Sequence, residues 1–180
     1  MADLHCAMST KNKRQQLEAG NLGEQLVAHW LQQQRWDILA QGWHSRWGEL
    51  DIVAYKPKAE AEECLAFVEV KTRSRGNWDL DGLLAITPTK QAKLWKTAQT
   101  FLAKHPDWTE YPCRFDVALV QYIQRPMAKP KPPAQIHNPA SALTQQVQPS
   151  FPEGFALGDT ARVPEYALTL VTYIEAAFSG

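Results

Sequence analysis

Four residues in this chain, Glu24, Asp51, Glu69 and Lys71, have the types and spacing of a divalent-metal site. The segment Phe67-Val68-Glu69-Val70-Lys71 alternates, so in an extended strand Phe67, Glu69 and Lys71 share one face while Val68 and Val70 take the other. Opposite charges therefore project together from an otherwise apolar strand. Asp51 is set among Leu50, Ile52 and Val53, where a buried carboxylate is costly unless it is paired or bound to a metal. Two carboxylates on neighbouring strands suit Mg²⁺ or Mn²⁺, hard cations that prefer oxygen ligands and keep several waters, and the backbone carbonyl of Val70 could add a further oxygen. Such an ion polarises a phosphodiester and acidifies a bound water, and Lys71, two residues from a ligand, is placed to orient that water or offset the developing charge.

Each of these residues also has a plainer reading. Asp51, Glu69 and Lys71 can form a cross-strand ion-pair cluster. Glu24 lies three and seven residues before Val27 and Leu31, so it projects from the apolar side of a helix and can reach the same site. It can equally complete a capping box, because Asn21 is a good N-cap with Glu24 third after it.

The elements that must position these residues are legible as patterns. Residues 1–19 are polar without a clear period and read as a flexible N-terminal arm. A helix follows from Asn21, with Leu26, Val27, Trp30 and Leu31 on one face. Trp36 to Trp43 reads as a strand, and Leu50 to Tyr55 and Cys64 to Lys71 read as an antiparallel hairpin across the loop that holds Pro57. Thr87-Pro88 is a helix start, with a capping hydroxyl and a proline at the first position, and Leu94, Trp95, Ala98, Phe101 and Leu102 form the stripe to be buried. Phe115 to Ile123 and Tyr166 to Tyr173 are two further strands. Between them, 124–164 is expected to be a disordered, proline-rich insertion, since Arg125 to Pro164 holds eight of the twelve prolines. The prediction is a single α/β domain over 20–123 plus 165–180, a mixed sheet flanked by helices in the order α-β-β-β-α-β-β.

Composition bounds the function. The 180 residues suffice for one domain with a real core. Cys6, Cys64 and Cys113 are scattered and odd in number, which argues against a disulfide framework or a zinc knuckle and for a cytoplasmic setting. No run is long and apolar enough for a membrane helix, so no membrane partner is expected. Net charge is zero, yet Glu49 to Glu69 holds six acids against two lysines and Lys71 to Lys104 holds seven bases against Asp79 and Asp81. An acidic patch beside a basic one is what a metal cup flanked by a phosphate-binding surface requires.

Four blocks taken together, Gly20-x-x-Gly23-Glu24, Gly48-Glu49-Leu50-Asp51-Ile52-Val53, Phe67-Val68-Glu69-Val70-Lys71-Thr72-Arg73 and Arg114-Phe115-Asp116-Val117, resemble the YraN family of largely uncharacterised bacterial proteins. That family is similar to archaeal Holliday-junction resolvases within the PD-(D/E)xK superfamily. The resemblance implies a restriction-endonuclease-like three-layer core and a Mg²⁺-dependent endodeoxyribonuclease acting in DNA repair or recombination, on branched or structured DNA. Asp51, Glu69, Glu24 and Val70 would hold the metal, and Lys71 would be catalytic alongside Asp51 and Glu69. Leu50 stands where the superfamily's name has proline, and the insertion is a larger departure. Arg73 and Arg75, with Arg46 and Lys90 less strongly, are the expected phosphate contacts. Trp43, Trp47 and Trp78 could stack on unpaired bases, although packing is the plainer role for each. Arg114 and Asp116, two apart on one strand, could simply pair with each other. Junction-cutting relatives act as symmetric pairs, so a homodimer is an expectation, and a non-catalytic nucleic-acid-binding module is the rival reading.

Overall fold

The computed structural model describes residues 2–58, 62–76, 86–126 and 150–178, with side chains from Asn12 onward. Trp78, Asp79 and Asp81, and most of the proline-rich stretch (127–149), lie outside the described residues.

The chain runs α1 (Ala2–Gln33), β1 (Asp37–Ser45), β2 (Gly48–Lys56), β3 (Cys64–Ser74), α2 (Pro88–Lys104), a short 3-10 turn (Pro106–Trp108), β4 (Cys113–Gln124), β5 (Thr160–Arg162) and β6 (Tyr166–Phe178). This is the expected mixed α/β order, with β5 as an added short strand. The strands form one six-stranded sheet in the order β1-β2-β3-β4-β6-β5. Among the described residues only β3 and β4 are parallel, joined by the α2 crossover; β1–β2, β2–β3, β4–β6 and β5–β6 are antiparallel.

Alternation along the strands divides the core into two. On one face Ile52, Ala54, Ala66, Val68, Ala118 and Val120 meet Leu26, Val27 and Leu31 of α1. On the other Val53, Leu65, Phe67, Phe115 and Val117 meet Leu94, Ala98 and Phe101 of α2. The start of α2 is as expected: Pro88 stands in its first turn and Thr87 Oγ1 accepts from the Lys90 N–H at 3.3 Å.

Two boundaries differ from expectation. Residues 2–19, read as an arm, are helical, and α1 is continuous to Gln33. This stretch is rich in Ala, Leu, Met, Lys, Gln and Glu, so high helix propensity carries it where an apolar period is absent. Asn21 is therefore mid-helix and caps nothing, which removes the capping-box reading of Glu24. Residues 150–164, assigned to the insertion, pack against the sheet: Phe155, Ala161 and Val163 are buried and β5 pairs with β6. Isolated apolar residues among prolines and glycines gave no period by which to find them.

Candidate metal centre

The site forms where β2 and β3 part. Their ladder ends at the pair Ile52↔Val68, although both strands continue beyond it. In β2 the two-residue alternation breaks at the same place, because Leu50 packs on the α2 side and Ile52 on the α1 side. Opposite Asp51 in β1 is Gly42, between the pairs Gln41↔Ile52 and Trp43↔Leu50, with φ 57°. That left-handed backbone favours glycine and lets β2 turn its aspartate inward. The Val70 N–H, deprived of a ladder carbonyl, donates to Asp51 Oδ2 at 2.7 Å.

Glu69 follows Phe67 on the α2 face and is only 4% exposed. Its Oε1 accepts from Lys71 Nζ at 2.5 Å and lies 3.2 Å from Lys90 Nζ in the first turn of α2. Its Oε2 is buried with no hydrogen-bond partner among the described residues. A buried carboxylate oxygen left without a donor is expensive, and it is the feature an oxophilic cation would satisfy.

Glu24 reaches the cluster from α1. The approach is set by Gly23, where a Cβ would overlap the side-chain hydroxyl of Thr72, so α1 crosses β3 closely only with glycine there. Burial raises the Glu24 carboxyl above its ordinary range, and the charges of Glu49 and Glu69 raise it further. Asp51 is pushed up to about 7, first by burial and then by the Glu69 charge, against the opposing Val70 hydrogen bond. The charges of Glu24, Asp51 and Glu69 thus act on one another, with Lys90 among them. Among the described residues, no three His, Cys, Asp or Glu side chains converge closely enough as they stand to hold a metal ion. The donor types and the orphaned Glu69 oxygen fit a hard cation; the present pairing of Glu69 is with lysine.

The expected site residues fall into three groups. Glu24, Asp51, Glu69 and Lys71 are brought together. Lys90, expected as a phosphate contact, instead meets Glu69. Arg73 is exposed and lines an open cavity of about 420 Å³ with Lys71, Thr72, Gln16 and Tyr122, between α1 and the end of β3. Arg75 is exposed in the turn after β3, and Arg46 is exposed in the β1–β2 turn. Arg114 and Asp116 pair with each other at 3.1 Å on the opposite side of the sheet, the plainer of their two readings. Trp43 is half-buried, edge-on to Phe101 at 5.3 Å. Glu49, whose Oε2 lies 3.2 Å from His44 Nε2, was missed as a charge that acts on Glu24. It stands two residues before Asp51, a spacing that could have found it.

The described residues thus form a mixed α/β sheet with a carboxylate and lysine cluster at the parting of two antiparallel strands. The chain belongs to the family described as "Uncharacterised protein family UPF0102", the YraN family, whose model matches residues 23–120. All four motif blocks lie within or overlap that span. A UPF0102 protein of Trichodesmium erythraeum is 46% identical over 173 residues, covering 91% of this chain and 90% of its own. A UPF0102 protein of Acaryochloris marina is also 46% identical, covering 91% of each chain. One from Nostoc is 44% identical over 90% of this chain and 94% of its own.

Proposed function

We propose that this protein is a metal-dependent endonuclease that hydrolyses phosphodiester bonds in DNA, with branched or otherwise structured DNA as its substrate. The observation that carries the reading is Glu69, a buried carboxylate with one oxygen held by two lysines and the other without a partner among the described residues, set beside Asp51 at the parting of β2 and β3. Asp51, Glu69 and Glu24, with the Val70 carbonyl, are the residues that would hold Mg²⁺ or Mn²⁺. When bound, the ion would polarise the phosphodiester and supply an activated water. Lys71, released from Glu69 as the ion takes over its charge, would orient that water or steady the phosphorane oxygens. Asp51 keeps β2 turned inward through its bond to the Val70 amide. Arg73 and the cavity beside it offer a path for the phosphate backbone.

The test is a cleavage assay with Mn²⁺ or Mg²⁺ on junctions, flaps, single strands and duplexes. At least one is expected to be nicked, and Asp51→Ala is expected to abolish the product. Inactivity across the panel under both ions would overturn the reading.

A second reading is favoured by one specific observation: Glu69 Oε1 is already satisfied by lysines, and among the described residues no three acidic side chains converge closely enough to hold a metal ion. On that reading the fold is a nucleic-acid-binding module in DNA processing that no longer cuts. Band-shift binding in chelator that survives Asp51→Ala, together with an inactive panel, would select it.

A further inference from the structure

The β1–β2 connection is a two-residue turn, Arg46-Trp47, between the paired Ser45 and Gly48. The positive φ at this turn falls on Gly48 (φ 150°), so neither tip position requires glycine. Here the tip is an arginine and a tryptophan. The indole is 39% exposed, the Arg46 guanidinium carbon lies 4.8 Å from its centroid and Lys96 Nζ from α2 also lies 4.8 Å away. Neither cation is within 4 Å of a carboxylate among the described residues. Two cations resting on a ring for want of an acid are available to a phosphate, which binds them more strongly than an exposed ring does.

The surroundings continue the pattern. α2 carries lysines at 90, 93, 96 and 104 and no acidic residue, in a chain of zero net charge. Lys90 touches Glu69 at one end of this series and Lys96 touches Trp47 further along. The rise from position 90 to 96 is about 9 Å, roughly the length of three stacked nucleotides of one strand. An apolar protein partner would not call for uncompensated cations around its contact. A duplex would bring phosphates but hides the faces of its bases in the stack. A single strand supplies both a phosphate and a free base face.

We infer that Trp47 is a stacking platform for an unpaired base, flanked by Arg46 and Lys96 as phosphate contacts, on a strand led along α2 from the carboxylate cluster. This deepens the proposed function by naming single-stranded or locally unpaired DNA as what the site receives, and it rests on that reading for the position of the reacting phosphate.

The experiment measures binding of the full chain to a short fluorescent oligothymidylate and to a blunt hairpin duplex, by anisotropy in EDTA so that no strand is cut. Trp47→Ala is expected to weaken single-strand binding about tenfold and to change duplex binding less than twofold. Trp47→Phe is expected to keep most of the affinity. Trp47→Leu, which keeps apolar bulk at the turn but has no π face, is expected to behave like Trp47→Ala, and far-UV circular dichroism with a melt establishes that each variant is folded. Unchanged single-strand affinity in a folded Trp47→Leu, equal losses on both ligands, or no single-strand binding by the unsubstituted chain would each overturn the inference. Cleavage in Mn²⁺ is scored separately. Cutting with Trp47-independent binding removes this inference alone, and Trp47-dependent binding without cutting removes the nuclease reading alone.

Discussion

The Val70 amide donates to Asp51 Oδ2 at 2.7 Å, so a side chain stands in where the β2–β3 ladder would supply a backbone carbonyl. An asparagine can accept the same bond without the charge. Asp51 is raised from 3.8 to about 7, which means the fold disfavours its ionised form. Its contribution to stability is therefore full below about pH 4 and is lost as pH rises through about 7. In chelator, Asp51→Asn is expected to raise the melting temperature by about 5 °C at pH 8, corresponding to ~2 kcal/mol, and to change it little at pH 4. Equal shifts at both pH values would show that the carboxylate is not held against ionisation.

Glu69 shares two lysines, and losing them singly or together should differ. Lys71→Met leaves Lys90 in place and is expected to cost ~2 kcal/mol in urea unfolding, less than the loss of a sole partner. The double variant with Lys90→Met should cost more than the two single losses added, because the buried charge is then bare. Mn²⁺ should restore part of that stability if a cation can take the lysines' place. Strict additivity, or no response to Mn²⁺, would count against a shared carboxylate open to metal.

Gly23→Ala places a methyl against the Thr72 hydroxyl and is expected to destabilise by ~2 kcal/mol. Thr72→Ala in the same chain removes the overlapping atom and should recover most of that loss. A thermal melt of the two single variants and the double variant reads this directly. Failure of the second change to rescue the first would move the cause away from the α1–β3 crossing.

Asp116 is fully buried and accepts from Tyr173 Oη at 2.7 Å, the Ala176 amide at 2.9 Å and Arg114 Nε at 3.1 Å. Asp116→Ala would orphan three donors and should cost ~3 kcal/mol or more. Because this network lies on the opposite side of the sheet from Glu69, nucleic-acid binding per folded molecule should be unchanged. A selective loss of binding at full stability would give Asp116 a role at the site.

The residues that do chemistry were more legible than the boundaries that carry them. Alternation alone placed Phe67, Glu69 and Lys71 on one face, and the apolar neighbours of Asp51 marked it as buried, because strand geometry has a period of two whatever the fold. Thr87-Pro88 announced α2 by local stereochemistry in the same way. Lys90 could not be assigned, since its partner is set by how the crossover brings the first turn of α2 against β3. The early start of α1 was hidden because propensity rather than period sustains it. Phe155 and Val163 were hidden because the α1 side of the sheet, not their neighbours in sequence, buries them.

The Arg125 amide donates to the Glu165 carbonyl at 2.8 Å, which pins together the two ends of the stretch that leaves β4 and returns to β6. Once the ends of a loop are fixed, its closure entropy grows only with the logarithm of its length, about 0.6 kcal/mol for each doubling. The bond bears that closure cost locally, next to the Gln124↔Tyr166 pair that ends the β4–β6 ladder. The fold thus carries a clasp at this point, set apart from the strand pair that holds Asp51 and Glu69.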